Sequence, residues 1–277
     1  MQRTIAEENY GVTRQALTKS MIEEFDVPIP PLSEQRRIVA KIDSLSAKSK
    51  RARDHLDHVP RLVEKYKQAI LAAAFRGDLT REWRTQRCPA DQWSEVKLEE
   101  LIYDGPSNGW SPKSGPNATG ALTLKLTATT SGDLRLDDAA VKRIYEKPSA
   151  SSGYWLRPGD LLVQRANTIE YVGAAAIFDG PPNTFIYPDL MMRVRIKEDM
   201  DRRYVWRFLN SARARQYFRE RATGTAGNMP KINGDTLRSL PVPLPPTVDE
   251  RHEVLRRIET AFAWIGDLLR MPPAPAN

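Results

Sequence analysis

The chain carries the same proline-rich segment twice. Residues 27–43 read VPIPPLSEQRRIVAKID, and residues 242–259 read VPLPPTVDERHEVLRRIE. In each copy the prolines enforce an extended backbone, because proline fixes φ and disfavours a helix at the residue before it. A charged helical sequence follows, with Ser33 as the expected N-cap and Glu34 suited to the positive end of the helix dipole. The repeat therefore predicts two equivalent hinge-and-helix segments.

The helical sequence after the first hinge has apolar or small residues alternately four and three positions apart, from Ile38 to Ala73. This spacing is typical of a helix that packs against another helix along one seam. With a constant offset in residue number, the second copy repeats the seam. We therefore expect residues 33–58 and 250–269 to pack antiparallel as coiled-coil-like helices, with an interruption near Pro60. The expected pairing positions are Ile38, Ile42, Leu45, Leu56, Val254, Ile258 and Ile265.

The sequence between the two copies has a different pattern. Short β-like stretches alternate with Pro/Gly turns, and a helical stretch at 201–221 carries arginines interleaved with aromatic residues. Such a basic helix favours contact with nucleic acid over a plain solvated face. The predicted fold class is α+β, with a mixed α/β domain and long antiparallel helices. The predicted strands are 121–127, 161–165, 171–178 and 191–197.

Catalytic motifs are absent from the sequence. There is no nucleophile elbow, no phosphate-binding P-loop and no glycine-rich dinucleotide loop. The three histidines and the single Cys88 do not have the spacing of zinc ligands. We therefore predict no catalytic residue, no metal and no cofactor for this chain. The net charge of +7 favours a polyanionic partner, and the lone cysteine with no long apolar run predicts a cytoplasmic protein without a membrane segment.

Two loops carry polar side chains suited to DNA. The first, after the predicted strand 161–165, would be held by a rigid sheet. Arginine matches the acceptor pair of guanine and asparagine matches adenine, although Arg165 and Asn167 fit ordinary surface and turn roles equally well. The second loop, 223–234, combines three glycines with a lysine, so it could follow the phosphate backbone or simply be flexible. The candidate DNA-binding residues are Arg165, Asn167, Thr168, Glu170, Tyr171, Thr225, Asn228, Lys231 and Asn233.

Four elements together resemble the specificity subunit of type I restriction-modification systems. They are the EQRRIV helix start after the first hinge, KYKQAILAAAFRGDL at 65–79, PGDLLV at 158–163 and GNMPKI at 227–232. In that family each target-recognition domain is followed by a conserved helical region, which would explain the repeat. The resemblance implies four parts. They are a remnant of a first recognition domain with its hinge at 1–32, a helical spacer at 33–87, a target-recognition domain at 88–240, and a second hinge with a short helix at 241–277. In the remnant, Leu17, Ile22 and Phe25 would correspond to Ile232, Leu237 and Leu240.

The resemblance also implies a function and partners. The chain would be a noncatalytic subunit that reads double-stranded DNA and directs adenine methylation and cleavage by partner subunits. Two modification subunits, which bind S-adenosylmethionine, would dock on it, and a restriction subunit would add ATP-driven cleavage. With one complete recognition domain, the chain would be a fragment, a truncated gene product, or a half-subunit that forms a homodimer or pairs with another half-subunit.

A different class of function remains as the alternative. The chain could be a helical assembly or inhibitory protein that binds modification or specificity subunits without reading DNA. The two hypotheses differ in one structural expectation: a DNA reader should bring Arg165, Asn167 and Lys231 into one exposed basic cleft, whereas an assembly protein could leave them scattered.

Overall fold

The computed structural model describes Glu23 and residues 28–87, 92–198, 200–224 and 229–270. The expected remnant residues Leu17, Ile22 and Phe25 lie outside these ranges. The chain divides into two compact units, Met1–Pro60 and Arg61–Asn277, called here the N-terminal and C-terminal units. No helix in the described part of the chain is long and apolar enough to cross a membrane.

The helices and strands occur in the following order. They are α1 Leu32–Leu56, α2 Val59–Phe75, α3 Arg81–Arg87, β1 Ser94–Lys97, a 3₁₀ turn Leu98–Leu101, β2 Ile102–Asn108, β3 Leu122–Leu124, a 3₁₀ turn Leu126–Ala128, β4 Val141–Arg143, β5 Leu161–Gln164, β6 Ala175–Ile177, β7 Phe185–Ile186, β8 Met191–Ile196, α4 Arg202–Leu209, α5 Ala212–Arg221, α6 Gly234–Arg238, β9 Pro241–Leu244 and α7 Val248–Arg270.

Helix α1 follows the first proline hinge and buries none of its side chains. Its N-cap is Pro31 and no side chain caps it, so the expectation that Ser33 is the N-cap is wrong. The predicted interruption is present, because α1 ends at Leu56 and α2 begins at Val59. Pro60 then lies in the first turn of α2, where a missing N–H group leaves no hydrogen bond unmade.

Three sheets form the centre of the C-terminal unit. The largest has the order β2-β8-β5-β6 and is antiparallel throughout, the second has the order β4-β3-β7, and β1 pairs with β9. Alternate residues of a strand face opposite sides of a sheet. Accordingly, Leu161 and Val163 of β5 join the larger hydrophobic core with the helices, whereas Leu162 joins a second core with the three-stranded sheet. The predicted α+β class is confirmed.

The predicted elements of this unit are partly confirmed. Strands are present at 161–164 and 191–196, close to the predicted limits, but the first predicted strand shortens to 122–124. The strand expected from residue 171 begins only at Ala175, because a turn that includes Gly173 at φ +80° precedes it. The single helix expected at 201–221 is two helices, since the first ends at Leu209 with Asn210 as its C-cap and Ser211 caps the second.

Helix α7, in the second copy of the repeat, is fixed through one buried carboxylate. Glu250 is fully buried, and its Oε1 accepts hydrogen bonds from Thr80 Oγ1 at 2.7 Å, Arg84 Nη1 at 2.8 Å and Trp93 Nε1 at 2.9 Å. Further along α7, the guanidinium of Arg257 donates to the carbonyl of Leu79. These contacts tie the start of α7 to the chain segment that leads into β1.

The apolar positions of α7 are divided between core and surface. Val254 and Ile258 are fully buried in the larger core, in the same cluster as Leu71 and Phe75 of α2, and Ile265 is half-buried. On α1, the remaining predicted pairing positions are exposed. They are Ile38, Ile42, Leu45 and Leu56. The partners that bury Val254 and Ile258 thus lie within the C-terminal unit, and pairing of 33–58 with 250–269 stays a prediction.

Replacement of Glu250 by alanine should strongly destabilise the C-terminal unit. The change leaves the largely buried Arg84 guanidinium without its counterion and also removes the acceptor for the Thr80 hydroxyl and the Trp93 indole. Breaking a buried pair from one side costs about 3–5 kcal/mol, which urea unfolding of the full chain would measure. Asp267→Ala is the control, because it removes an exposed ion pair with Arg270 on the same helix and should cost less than about 1 kcal/mol. Equal losses in the two variants would contradict this role for Glu250.

Candidate nucleic-acid interface

The first predicted DNA-binding loop begins at one end of the four-stranded sheet. Strand β5 ends at Gln164, which is paired with Met191 at the start of antiparallel β8. Arg165 therefore lies beside the turn before β8, where its backbone N–H donates to the Leu190 carbonyl at 2.8 Å and its Nη1 to the Asp189 carbonyl at 3.2 Å. The sheet fixes where the loop begins.

The second predicted DNA-binding loop lies directly against the first. Lys231 forms antiparallel bridges with both Ala166 and Thr223, and the Ile232 N–H donates to the Arg165 carbonyl at 2.9 Å. The Asn167 N–H also donates to the Pro230 carbonyl at 3.3 Å. The two loops are thus joined by backbone hydrogen bonds. We call residues 165–171, 223–224 and 229–231 the polar edge.

The polar edge presents several side chains to solvent. Arg165 is half-buried, and Lys231 is exposed with no hydrogen bond or ion pair from its ammonium to any other described residue. The other exposed predicted residues are Thr168, Glu170 and Tyr171. The structure therefore brings Arg165, Asn167 and Lys231 together, as a DNA-reading surface requires.

Asn167 is oriented by a chain of side-chain hydrogen bonds. Its Oδ1 accepts from the Thr168 N–H at 2.7 Å, and its Nδ2 donates to Oε1 of the fully buried Gln164. Gln164 Nε2 in turn donates to the Leu126 carbonyl at 2.8 Å and to Thr129 Oγ1 at 2.9 Å. A primary amide has two N–H groups and two acceptor lone pairs. Asn167 therefore keeps one donor and one acceptor for a further partner.

Asn233 has a structural role in the fold. Its Oδ1 accepts from the Thr236 N–H at 2.8 Å and from Thr236 Oγ1 at 2.9 Å, which makes it the N-cap of α6. An asparagine at this position satisfies a backbone donor that the helix leaves unpaired. Its predicted contact with DNA receives no support from this geometry. Thr225 and Asn228 lie outside the described residues.

Several known proteins similar to this chain are type I restriction specificity subunits. Residues 1–56 match the family described as the type I restriction modification DNA specificity domain. The chain is 29% identical to the type I restriction enzyme EcoKI specificity subunit of Escherichia coli K12, over 87% of this chain and 51% of that subunit. It is 26% identical to the EcoDI specificity subunit of Escherichia coli, over 95% of this chain and 60% of that subunit. The chain is a relative of type I restriction specificity subunits.

Two solved structures share its fold. One is a chain from a type I R-M system, with a TM-score of 0.62 and 20% identity, over 97% of this chain and 62% of that chain. The other is the HsdS subunit from Thermoanaerobacter tengcongensis, with a TM-score of 0.50 and 20% identity, over 96% of this chain and 60% of that chain. The chain thus spans between half and two thirds of the length of these specificity-subunit relatives.

The arginines of the predicted basic helix mostly make intramolecular contacts. Arg203 pairs with Asp201 and Glu259, and Arg213 pairs with Glu95. Arg207 stacks on Trp206 and Phe262, and Arg221 on Tyr217. The interleaving of arginine and aromatic residues is explained by these contacts. We therefore do not include the 201–221 face in the candidate interface.

Arg215 supports the first loop from its buried side, a role that the sequence did not indicate. Its guanidinium donates to the carbonyls of Glu170 and Tyr171, the latter at 3.3 Å. The residue is only 9% exposed, and no carboxylate pairs with it among the described residues. Desolvation by burial and, to a lesser extent, the charge of nearby Arg219 lower the pKa of Arg215 to about 10. A buried arginine, without a carboxylate partner in the described part of the chain, thus holds the C-terminal end of the first loop.

Arg215→Met should loosen the first loop without unfolding the protein. Methionine keeps an apolar stem but removes both donors, and hydrogen bonds from a charged group contribute about 1.5–3 kcal/mol. Overall stability need not fall, because methionine also avoids the desolvation of a buried charge. The local measurement is hydrogen exchange, which should become about 10–100-fold faster at hydrogen-bonded loop amides. These amides belong to Val172, Gly173 and Ala174.

The matched control is Arg219→Met, since Arg219 lies on the same helix but is exposed. It should leave the exchange of the loop amides unchanged. Equal exchange in the wild-type chain and both variants would show that Arg215 does not hold the loop.

Proposed function

We propose that this chain is a noncatalytic DNA sequence-recognition subunit of a type I restriction-modification complex. It directs adenine methylation and DNA cleavage that partner modification and restriction subunits perform. The observation that carries the proposal is the polar edge, on which Arg165, Asn167 and Lys231 adjoin. The similarity to specificity subunits supports the same function.

Arg165 and Asn167 are the proposed base-reading residues. Asn167 retains one amide donor and one acceptor, the combination that matches the N6 and N7 atoms of adenine. Its hydrogen bond to buried Gln164 fixes the amide before DNA arrives, so less side-chain entropy is lost on binding. Arg165 uses one guanidinium nitrogen on the Asp189 carbonyl, and its remaining donors suit the acceptor pair of guanine.

The neighbouring side chains take complementary roles. Lys231 is exposed beside the loop, and its ammonium has no partner among the described residues, so it contacts a phosphate and positions the domain. Glu170 suits the amino group of cytosine, and Thr168 can contact either kind of base edge. Tyr171 ends the loop with 39% of its surface exposed, and its proposed role is to pack beneath the loop.

The proposed partners are double-stranded DNA, modification subunits and a restriction subunit, in the cytoplasm where these act. We also propose pairing with a second half-sized specificity subunit, as a homodimer or with a different half-subunit. The domain limits stay proposals: 1–32, 33–87, 88–240 and 241–277. The family match over residues 1–56 supports a specificity-domain origin for the first part.

A second candidate function is helical assembly or inhibition without DNA reading. The observation that favours it is the exposed apolar seam of α1, which includes Ile38, Ile42 and Leu45. Such a chain would bind modification or specificity subunits through its helices. Helical assembly alone does not explain why the polar edge is held by so many hydrogen bonds, so we rank this function below DNA recognition.

Mapping of methylated adenines tests the proposed function. The chain is coexpressed with its modification subunit, and the genome of the host is sequenced for methylated positions. The wild-type chain should give a defined motif. Arg165→Ala and Asn167→Ala should each degrade that motif at one or two positions, because a good bidentate contact supplies about 1–3 kcal/mol of discrimination. Nonspecific affinity for DNA should change little.

Folding and assembly of both variants are checked by copurification with the modification subunit. If both assemble and methylate the wild-type motif, the assignment of the 165–171 loop is wrong and the 223–234 loop becomes the candidate. If the wild-type complex gives no defined motif, the second candidate function is favoured.

Lys231→Ala should weaken DNA binding for all sequences alike. Loss of one phosphate contact reduces the slope of log K against log salt by about one unit and leaves sequence preference intact. Titrations of the complex at several salt concentrations measure both effects. Lys197→Ala is the matched control, since Lys197 is an exposed lysine after β8, at the other end of the sheet from the polar edge. A loss confined to the specific site would identify Lys231 as a base contact instead.

A further inference from the structure

An isoleucine occupies the turn of the first loop and is exposed to solvent. Ile169 is 46% exposed, and it lies between Thr168 and Glu170, two polar residues with proposed base contacts. The Tyr171 N–H donates to the Thr168 carbonyl at 2.9 Å, so Ile169 and Glu170 are the two central residues of a hydrogen-bonded turn. The turn therefore exposes an apolar side chain among groups that form hydrogen bonds.

Neither turn chemistry nor core packing explains Ile169. The central positions of tight turns favour Gly, Pro, Asn, Asp and Ser, whereas β-branched residues favour strands. Ile169 belongs to none of the three hydrophobic clusters found among the described residues. A single exposed apolar residue is ordinary on a protein surface. Ile169 differs from such a residue because its turn is part of the polar edge and is fixed by hydrogen bonds on both sides.

The supports of the turn lie before and after Ile169. Before it, the Asn167 side chain accepts a hydrogen bond from the next backbone N–H at 2.7 Å. After it, Arg215 donates to the carbonyls of the two residues that follow Ile169, to the second at 3.3 Å. The Gly173 N–H then donates to the Gln164 carbonyl at 2.8 Å, which returns the loop to the sheet. The turn is thus anchored to a strand and to a buried side chain.

A rigid turn with an apolar side chain is suited to separating stacked bases. Proteins that kink DNA insert apolar side chains, isoleucine among them, between adjacent base pairs. Unstacking is costly, so the inserted residue needs a support that does not yield. Burying the guanidinium of Arg215 without a carboxylate partner in the described part of the chain is also costly. Rigid support of the turn accounts for that burial.

We propose that Ile169 is a wedge that inserts between two adjacent base pairs of bound DNA, from the groove in which Arg165 and Asn167 contact base edges. The inference rests on the proposed function, because it requires that the polar edge contacts DNA. Steps of TA and CA/TG unstack most easily. The wedge therefore adds specificity at a base step where the protein makes no hydrogen bond to either base.

A series of nicked duplexes tests the wedge. Each duplex carries the mapped methylation motif with one nick, its phosphate retained, and every base step of the motif is nicked in turn. A nick keeps all base edges in place but makes its step easier to open. The wild-type chain in complex with its modification subunit should bind one nicked duplex about 10-fold more tightly than the intact duplex, because part of the unstacking cost is removed.

Two replacements of Ile169 separate a wedge from a structural role. Threonine and valine are both β-branched, so the backbone preference of the turn is kept, but only valine is apolar. With Ile169→Thr the nicked and intact duplexes should differ by less than about 2-fold, whereas Ile169→Val should keep most of the gain. Tyr103→Thr is the matched control and should keep the whole gain. Tyr103 is 62% exposed on β2, at the end of the sheet away from the polar edge.

Four results would overturn the wedge. The first is a wild-type complex that gains from no nick, and the second is an Ile169→Thr complex that keeps every gain. The third is loss of copurification of Ile169→Thr with the modification subunit, which would identify Ile169 as a contact with that subunit. The fourth is a motif relaxed at a thymine with no effect of nicks, which would indicate contact with a thymine methyl group.

The wedge and the proposed function can fail separately. A defined wild-type motif without a gain from any nick overturns the wedge alone. Absence of a defined motif overturns both, because the wedge requires DNA reading by the polar edge.

Discussion

The carboxylate of Glu250 is the contact on which the closure of the C-terminal unit depends. It joins the first turn of α7 to Thr80 and Arg84, which precede all the strands in the sequence, and to Trp93, which directly precedes β1. Immediately beyond Trp93, β1 pairs with β9, so the first and last strands of the unit meet at the same place. Desolvation makes a buried carboxylate unfavourable on its own, and three converging donors, one of them charged, offset that penalty. The C-terminal unit is therefore closed by a contact in which three donors must lie in fixed positions around one carboxylate.

The packing of the C-terminal unit fixes the conformation of the polar edge. The 165–171 loop follows the sheet strand that ends at Gln164, is joined to residues 230–232 by backbone hydrogen bonds, and accepts hydrogen bonds from the buried Arg215. Gln164 links the 3₁₀ turn at 126–128 to the amide of Asn167. Base reading requires donors and acceptors held within a fraction of an ångström. Under the proposed function the loop meets this requirement through its supports, and none of them needs to contact DNA.

The sequence was sufficient for local patterns and insufficient for long-range contacts. The repeat, the interrupted helix and the strands at 161–164 and 191–196 follow from proline positions and periodicity, which act locally. The bridge between Ala166 and Lys231 joins residues far apart in the chain, so only the folded sheet reveals that the two loops are one surface. Arg215 has the same residue type as its exposed neighbours, and burial alone distinguishes it. Asn233 shows a related limit, since an N-cap and a DNA contact both favour asparagine and the sequence does not distinguish the two roles.

The comparison of Glu34 with Glu250 shows how far burial depends on the neighbouring surface. Two sequences with the same pattern of apolar and charged residues form helices from equivalent positions, yet one face is fully buried and the other is exposed. Sequence patterning is therefore the same for a face that is covered and for one that is exposed. A covered carboxylate needs several donors in fixed positions, whereas an apolar stripe accepts many surfaces of similar shape. The glutamate, more than the apolar residues, thus limits which surfaces can cover such a helix face.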